Sequence, residues 1–425
     1  MKKGLFKTAV LILIFALVCV PACSGCQSAP KDEVLTIVHA TDMHFLSPKL
    51  TDYSQDFIDF LSRTDGKVTQ YSPQICEAFV ADMLEMKPDA VILSGDLTLN
   101  GAYESHSDLA AVLMPLKEAG IAVFVLPGNH DAGGAAYSFF GGSIDEFESV
   151  SDGDFPLLYS NFGYDFAISR DSASQSYVAE LSPKLRLLFT DVNANDTAGK
   201  VRDETAAWAQ EQLAAAKESG AAVISVSHQP LLTHNRFFTF GYTAIGGQKL
   251  LSLYDEFGVA LNLCGHLHIQ HIAKEGSLTE IAASSLAVSP NQYGVLTVRN
   301  GVPESYRTQS VNVAGWAAAA GETNSDLLDF AEFSAGFFDT VTENSVSAMV
   351  EECSATAAEK SSMTAFAVRL NAEYFTGSLT LTDADPAWAL WQKYLPDNFF
   401  KVYMSSTLEK NEGDMREYNF GEQDK

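Results

Sequence analysis

The chain of 425 residues is 47% hydrophobic and 19% charged. This length and apolar content fit one large domain with an appendage and allow a sizeable core. The formal net charge is −27, from 54 acidic and 27 basic residues. Because Lys and Arg supply most of the affinity for nucleic acid and for anionic lipid, this balance argues against nucleic acid as a partner and against a purely electrostatic hold on a membrane.

The first residues are typical of an export signal. Three lysines, Lys2, Lys3 and Lys7, precede an apolar run from Ala9 to Val20. That run is shorter than the roughly 20 residues that a membrane-spanning helix needs. We therefore predict a signal peptide over residues 1–23, with an uncleaved membrane anchor as the alternative.

The apolar run leads into VPACSGCQSAP, whose first four residues resemble the cleavage box of bacterial lipoproteins. In that box the cysteine becomes the lipidated first residue, which is Cys23 here, with Cys26 as a rival. Residues 24–33 are small and polar and indicate a tether. The protein is therefore expected to be exported and lipid-anchored to the cell membrane on its extracytoplasmic face.

From about Val34 to Arg299, apolar strand-like runs alternate with amphipathic helices. The predicted strands lie at LTIVHA, AVILSG, IAVFVLP, LRLLFTD, AAVISVS and VALNLC, and the predicted helices at Ser72 to about Met86, Asp203 to Gly220 and Gln248 to Phe257. Three later strands, around 269–274, 278–283 and 294–299, follow one another closely and favour antiparallel pairing. This alternation predicts an α/β layered fold for residues 34–300.

Beyond Gly301 the pattern changes. The stretch GVPESYRTQSVNVAGWAAAAGETNS is irregular and predicts a connection. Helical patterns follow at 326–339, 344–353 and 355–374, and Asp385-Pro386 starts one more helix. The polar residues 411–425 predict a frayed end. Residues 301–425 are thus expected to form a helical C-terminal region without a concentration of reactive side chains.

Five of the predicted strands lead directly into polar side chains. In chain order these are Asp42 with His44, Asp96, Asn129 with His130 and Asp131, His228, and His266 with His268. Ligands of open α/β sheets bind outside the carboxyl ends of the strands. One pocket is therefore expected to collect all of these side chains.

The residue types in this set fit a site for two metal ions. Asp, Asn and His side chains are ligands for Mn, Fe and Zn, in divalent or trivalent form, and they do not distinguish among these metals. In the motifs D-x-H and H-x-H, two ligands two residues apart in an extended segment point to the same side. A glycine precedes three of the ligands and permits close approach of the backbone.

The ordered motifs DMH, GDLTLNG, GNHD, SHQP and GHLH resemble those of the calcineurin-like metallophosphoesterase family, over about residues 34–298. The resemblance implies a four-layer α/β/β/α sandwich with a dinuclear metal centre at one edge. It also implies a ligand set: Asp42, His44 and His268 for one metal ion, Asn129, His228 and His266 for the other, and Asp96 as a bridge.

Hydrolysis of small phosphomono- or diesters is the activity that this resemblance implies. Two cations would clamp the phosphoryl group, and a hydroxide that bridges them would attack phosphorus in line with the leaving group. His130, which needs no metal, is the candidate general acid. Asp131 either orients His130 or is a turn or helix-cap carboxylate.

Two other functions are considered. One is a cell-surface, metal-containing binding lipoprotein without turnover, which the helical C-terminal region suggests. The other is a nuclease that shares the metal core, against which the acidic composition argues. The remaining histidines, His39, His106, His234 and His271, are expected to be mainly structural. Four aromatic residues either wall a substrate pocket or belong to the core: Phe237, Phe238, Phe240 and Tyr242.

Overall fold

The computed structural model describes residues 32–64, 66–194, 199–409 and 413–421. The predicted signal peptide, both candidate lipidation cysteines and most of the predicted tether lie outside these residues. Within the described ranges, no helix is both long enough and apolar enough to cross a membrane.

Fifteen strands are formed by the described residues. In chain order they are β1 (Val34–Ala40), β2 (Ala90–Leu93), β3 (Ala122–Val125), β4 (Ala135–Phe140), β5 (Ser143–Glu148), β6 (Ser169–Arg170), β7 (Tyr177–Ser182), β8 (Leu185–Thr190), β9 (Ala222–Ser227), β10 (Leu261–Cys264), β11 (His271–Glu275), β12 (Leu278–Ala282), β13 (Gln292–Arg299), β14 (Val302–Ser310) and β15 (Glu417–Asn419). All six strands predicted from the apolar runs are present.

Twelve α-helices accompany the strands in the same described ranges. They are α1 (Gln55–Leu61), α2 (Ser72–Met86), α3 (Tyr103–Glu118), α4 (Phe155–Leu158), α5 (Asp203–Ser219), α6 (Gln248–Phe257), α7 (Val313–Ala320), α8 (Ser325–Leu328), α9 (Phe330–Glu352), α10 (Ala357–Thr376), α11 (Pro386–Tyr394) and α12 (Phe399–Glu409). The three helices predicted before residue 300 are confirmed. Their limits follow the local signals: α2 has proline in its first turn, and α5 ends at Gly220 in the left-handed conformation.

The strands form two large sheets and one hairpin. The first sheet has the order β15-β14-β13-β1-β2-β3, and the second has the order β11-β12-β10-β9-β8-β7-β6. Strands β1, β2 and β3 run parallel to one another, as do β8, β9, β10 and β12. The separate β4–β5 hairpin turns through Gly141 and Gly142, and both have the positive φ that a two-residue type I′ turn requires.

Alternating side chains place the two sheets face to face. Leu187 and Phe189 of β8 belong to the core between the sheets, whereas Leu188 packs with the apolar side chains of α5 and α6. The rings of Phe124 and Phe189 stack across the interface, with centroids 5.8 Å apart. Helices α2 and α3 pack against the first sheet. The predicted α/β/β/α sandwich with a helical C-terminal region is confirmed.

The segment predicted to be an irregular connection is regular. Residues 302–310 form β14, and residues 313–320 form α7. Strand β14 shows no alternation of apolar and polar residues because it lies near the edge of the sheet. Of its nine residues only Tyr306 is buried, and it packs against Gly294 of β13. Part of the predicted frayed end also forms a strand, β15, which pairs with β14. The first sheet therefore continues past the predicted boundary at residue 300.

The C-terminal helices pack against the loop that follows β10. Helix α9 is continuous where two helices were predicted. The side chains of Leu267 and Ile269 share an apolar core with α9 to α12. The amide of Gln270 donates to the carbonyl of Phe375 over 3.1 Å, at the end of α10. The helical region thus braces the segment that carries the GHLH motif.

This bracing predicts a large stability effect at Trp391. Its side chain is fully buried, and its indole N–H donates to the carbonyl of Met363 over 2.9 Å. We expect Trp391→Ala to lower the free energy of unfolding by about 3–5 kcal/mol, from lost burial and a residual cavity. Phe399→Ala is the matched control, because Phe399 is 76% exposed. Urea unfolding measures both, and equal losses in the two variants would contradict the packing described.

Candidate metal centre

Loops from both sheets meet at one edge of the sandwich. Asp42 follows β1, Asp96 follows β2 and His266 follows β10. The amide of Asp42 donates to the carbonyl of Gly95 over 3.0 Å, and the amide of His266 donates to Oδ2 of Asp42 over 2.9 Å. The second contact joins the first sheet to the second. The predicted convergence at the carboxyl ends of parallel strands is therefore present.

Asp42, His44 and His268 form the first group of candidate ligands. Nε2 of His268 lies 3.3 Å from Oδ1 of Asp42 and 3.1 Å from Nε2 of His44. Nε2 of His44 is 3.8 Å from the same carboxylate oxygen. The side chains of Asp42 and His44 are fully buried. Three ligand atoms from two sheets thus surround one point.

Asp96, His228 and His266 form the second group. Oδ2 of Asp96 lies 3.2 Å from Nε2 of His228, and the rings of His228 and His266 are 5.1 Å apart. The same Oδ2 atom is 3.9 Å from Nε2 of His44 in the first group. Asp96 therefore lies between the two groups, as a bridging ligand would.

Asn129 stands next to the second group. The amide of its neighbour His130 donates to Oδ1 of Asp96 over 2.8 Å, which holds this segment beside the bridge. Oδ1 of Asn129 accepts from Gln229 over 3.2 Å, and Gln229 also donates to Asn193 over 2.8 Å. Gln229 and Asn193 were not singled out from the sequence. Only Gln229 carried a signal, because it lies within SHQP.

The backbone of the ligand residues differs from the prediction. Asp42, His44, Asp96, His266 and His268 have φ values of 51°, 42°, 48°, 69° and 58°. The motifs D-x-H and H-x-H are therefore left-handed at their ligand positions, and the prediction of extended segments was wrong. Such conformations are uncommon outside glycine and cost of order 1 kcal/mol or more each. Surrounding hydrogen bonds must hold them, which is typical of functional sites.

Glycines make the close packing of these loops possible. A Cβ at Gly128 would lie 2.2 Å from Oδ1 of Asp96, and a Cβ at Gly265 would lie 1.9 Å from the Thr41 hydroxyl. Both distances are far below any real contact. The sequence-based expectation that glycines before ligands serve close approach agrees with this geometry.

Two buried ligand atoms show that the site fits metal ions. Oδ1 of Asp42 and Nε2 of His228 are buried and have no hydrogen-bond partner within the described ranges. Each nevertheless lies within 3.3 Å of another candidate ligand atom. A cation is bound by lone pairs from several atoms that point at one position. Without a cation, each buried polar atom that lacks a hydrogen bond lowers the stability of the fold.

Burial and neighbouring charges shift the pKa values of the candidate ligands. Burial opposes ionisation of Asp96, but the imidazoles of His228 and His130 outweigh it and hold the pKa of Asp96 well below its usual range. Burial lowers the pKa of His228, and the carboxylate of Asp96 more than compensates, raising that pKa to about 9. Burial, and then the charge of Lys67, lowers the pKa of His44 well below its ordinary value.

His130 lies beside the first ligand group, with one ring nitrogen held by the backbone. Its side chain is exposed, its ring lies 5.2 Å from that of His44, and its Nδ1 is 2.9 Å from the carbonyl oxygen of Leu99. Because a carbonyl oxygen only accepts, Nδ1 carries a proton and the ring orientation is set. Nε2 is then the nitrogen that can serve a substrate.

Asp131 does not orient His130. Its buried carboxylate accepts from the amides of Leu97, Thr98 and Gly128 at 3.0, 2.9 and 2.8 Å. These contacts favour the alternative of a turn carboxylate over the catalytic role predicted for Asp131. Since it binds the amides directly after Asp96 and the amide directly before Asn129, Asp131 locks two ligand loops together.

Two of the other histidines are structural. Nε2 of His39, inside β1, lies 2.8 Å from the hydroxyl of Ser94, and burial lowers the pKa of His39 to about 3. Nε2 of His106 lies 2.8 Å from the carbonyl oxygen of Asp131. Neither ring reaches the candidate ligands, in agreement with the structural role expected for both.

His234 and His271 belong to a separate buried cluster with Glu280. Nδ1 of His234 lies 3.0 Å from Nδ1 of His271, and its Nε2 lies 3.1 Å from Glu280. The Glu280 carboxylate also accepts from the amides of Leu231 and Leu232 at 2.9 and 2.7 Å. These amides follow the SHQP motif, so the cluster holds the loop that carries His228.

The four aromatic residues considered from the sequence divide into two sets. Phe237 and Phe238 pack on the core of the C-terminal helices. Tyr242 lies near the site, with its ring 5.8 Å from that of His266, whereas Phe240 is 92% exposed. A larger cavity lies beside Asn129 and His130, and its lining includes Lys67, which no sequence motif indicated.

Comparison with known proteins agrees with this architecture. A glycerophosphodiester phosphodiesterase, GpdQ, of Enterobacter lignolyticus (strain SCF1) is 27% identical over 236 residues, which are 55% of this chain and 71% of that protein. A protein of Pseudoalteromonas sp. (strain SM9913) named "Probable cyclic nucleotide phosphodiesterase" is 30% identical over 127 residues, 30% of this chain and 43% of that protein.

Among solved structures, a dimetal phosphatase from Danio rerio aligns with a TM-score of 0.46 at 12% identity, covering 65% of this chain and 95% of that one.

Residues 312–414 match the family model described as the C-terminal domain of cyclic nucleotide phosphodiesterase. Residues 35–270 match the model of the calcineurin-like phosphoesterases. The chain therefore belongs to the calcineurin-like phosphoesterase family, whose members use a dinuclear metal centre.

Proposed function

We propose that the protein is a phosphodiesterase that works with two metal ions, Mn, Fe or Zn. The observation that carries this proposal is the Asp96 carboxylate, which lies between the two groups of candidate ligands. Asp42, His44 and His268 would hold one ion, and Asn129, His228 and His266 the other, with Asp96 shared. When bound, the ions supply an activated water nucleophile and neutralise charge on the phosphoryl group.

The chain's own residues would bind the substrate and supply a proton. Lys67 lines the same cavity as Asn129 and His130, and its positive charge there would attract a phosphate group. Protonated His130 keeps Nδ1–H on the carbonyl of Leu99 and donates Nε2–H to the leaving oxygen. The overall charge of −27 does not oppose this, because salt screens distant charges beyond roughly 10 Å.

Diesters are proposed ahead of monoesters because both curated relatives are named phosphodiesterases. The test uses the full chain, stripped of metal by chelation and restored with Mn²⁺ or Zn²⁺. We expect turnover of bis(p-nitrophenyl) phosphate to return with metal and to exceed turnover of p-nitrophenyl phosphate. A binding lipoprotein without turnover would hydrolyse neither compound under any metal, and that result would overturn the proposal.

Asp96→Asn tests the shared ligand. Replacing the carboxylate with an amide removes the negative charge between the two groups, so we expect fewer than two ions per chain and at least about a 10²-fold loss of diester turnover. Elemental analysis and kinetics measure these quantities. Asp255→Asn, on the exposed surface of α6, is the matched control and should keep both the two ions per chain and the rate of diester turnover. Two ions per chain with an undiminished rate in Asp96→Asn would refute the bridging role.

His130→Ala tests the general acid. The expected loss in kcat is about 10²–10⁴-fold for an alkyl leaving group, with metal content unchanged. The loss should be much smaller for p-nitrophenolate, which leaves without needing a proton. Rates for an alkyl and a p-nitrophenyl ester of the same phosphate measure this difference, and equal losses for the two would contradict proton donation.

We also propose that the protein is exported and lipid-anchored at Cys23, on the sequence evidence alone. Labelling cells with a radioactive or clickable fatty acid should mark the wild-type protein and the Cys26→Ala variant, but not Cys23→Ala. The reversed pattern would move the lipidated residue to Cys26. An unlabelled wild-type protein in the cytoplasmic fraction would contradict both the anchor and the export.

A further inference from the structure

A cavity of about 630 Å³ opens directly beside the candidate metal centre. At one end it is lined by Asn129 and His130. Beyond them its wall is built from α1 and the β4–β5 hairpin, with Phe60, Tyr137 and Phe139 among its lining residues. We call this space the ring pocket. Its volume lies in the range that organic ligands of moderate size occupy.

The wall of the ring pocket is aromatic and rigid. The ring of Phe139 lies 5.8 Å from that of Phe60, tilted by 36°, and 4.9 Å from that of Phe57 behind it. Phe139 is 6% exposed and Phe60 is 40% exposed, so the inner ring is fixed while the outer one presents a free surface. A further ring gains from edge or offset contact with such a pair, beyond the apolar area that it buries.

A few polar groups interrupt this wall. Thr69 and Asn100 line the ring pocket, and their side-chain oxygens have no hydrogen-bond partner within the described part of the chain. Lys67 is the one lysine or arginine among the described lining residues. An apolar cavity with few charged groups, which opens beside the candidate metal centre, matches an uncharged organic group attached to a phosphate.

The position of His130 decides which part of the substrate enters the ring pocket. A general acid protonates the oxygen that leaves, so the organic group on that oxygen lies on the side of His130. Nδ1 of His130 is held by Leu99, and both residues line the ring pocket. The leaving alcohol is therefore directed into this cavity.

We propose that the ring pocket binds the leaving alcohol and selects phosphodiesters in which that alcohol carries a planar, largely apolar ring. This inference rests on the proposed phosphodiesterase activity and on His130 as the general acid. It assigns Phe60 and Phe139 to substrate selection, a role that no sequence motif indicated.

The test compares two diesters that share a methyl ester and differ in the leaving alcohol: 2-phenylethyl methyl phosphate and n-propyl methyl phosphate. The full-length, metal-restored enzyme should prefer the phenyl compound in kcat/KM by about tenfold or more. Phe60→Ala should reduce this preference about three- to tenfold. Phe140→Ala is the matched control, because Phe140 is 43% exposed on the same hairpin but does not line the ring pocket.

A second readout avoids catalysis: 2-phenylethanol should inhibit the wild type competitively and inhibit Phe60→Ala more weakly. Phe60→Leu keeps the apolar volume without the ring, and replaces Phe60→Ala if the latter unfolds at lower temperature than the wild type. Equal kcat/KM for the two diesters in the wild type would overturn the ring pocket while leaving the phosphodiesterase intact. An equal reduction of the preference for the phenyl compound in Phe140→Ala would also overturn the ring pocket. If the wild type hydrolysed neither diester, the proposed phosphodiesterase activity itself would be refuted.

Discussion

The Asp96 carboxylate is the contact on which the arrangement of the site depends. Its Oδ2 faces His228 from the second sheet at 3.2 Å and His44 from the first sheet at 3.9 Å. Its Oδ1 accepts the amide of His130 at 2.8 Å. A buried carboxylate is stable only with such partners, since burial alone penalises its charge. Asp96 therefore fixes three loops relative to one another, and its negative charge lies where the metal ions would bind.

Ligand loops with left-handed backbone need support from outside the centre, because each unfavourable φ costs free energy that the loop itself does not recover. Three separate structures supply this support. Asp131 binds the amides beside Asp96 and Asn129, Glu280 binds the amides that follow His228, and the C-terminal helices pack on Leu267. The helical C-terminal region, which carries no candidate ligand, thus has a physical role in holding the GHLH loop.

The cavity beside the candidate metal centre is lined mainly by elements that carry no candidate ligand. Helix α1 and the β4–β5 hairpin contribute no candidate metal ligand, yet they form most of the aromatic wall beside His130. If the ring pocket binds the leaving alcohol as proposed, the residues that hold the ions and the residues that select the substrate belong to different elements of this chain.

Much of the fold and of the ligand set could be predicted from the sequence, because both are local in origin. Apolar runs of four to seven residues in the sandwich mark its buried strands, and polar residues directly after them mark the strand ends. Strand β14 escaped prediction because it is near the sheet edge, with Tyr306 alone buried, so that it lacks a pattern. The split of α9 into two helices was wrong because packing, and not local preference, keeps it continuous.

The role of Asp131, the left-handed ligands and the ring pocket were decided only by the tertiary structure. Asp131 is adjacent to His130 along the chain, yet two of its partners, the amides of Leu97 and Thr98, lie more than 30 residues away. The rings of Phe60 and Phe139 are in contact although the two residues are 79 positions apart along the chain. Nothing in the sequence around either residue indicates that the two would pack together. The sequence by itself determined which side chains follow which strands. Where those side chains point, and what lines the space beside them, depended on contacts between distant segments, which no local pattern records.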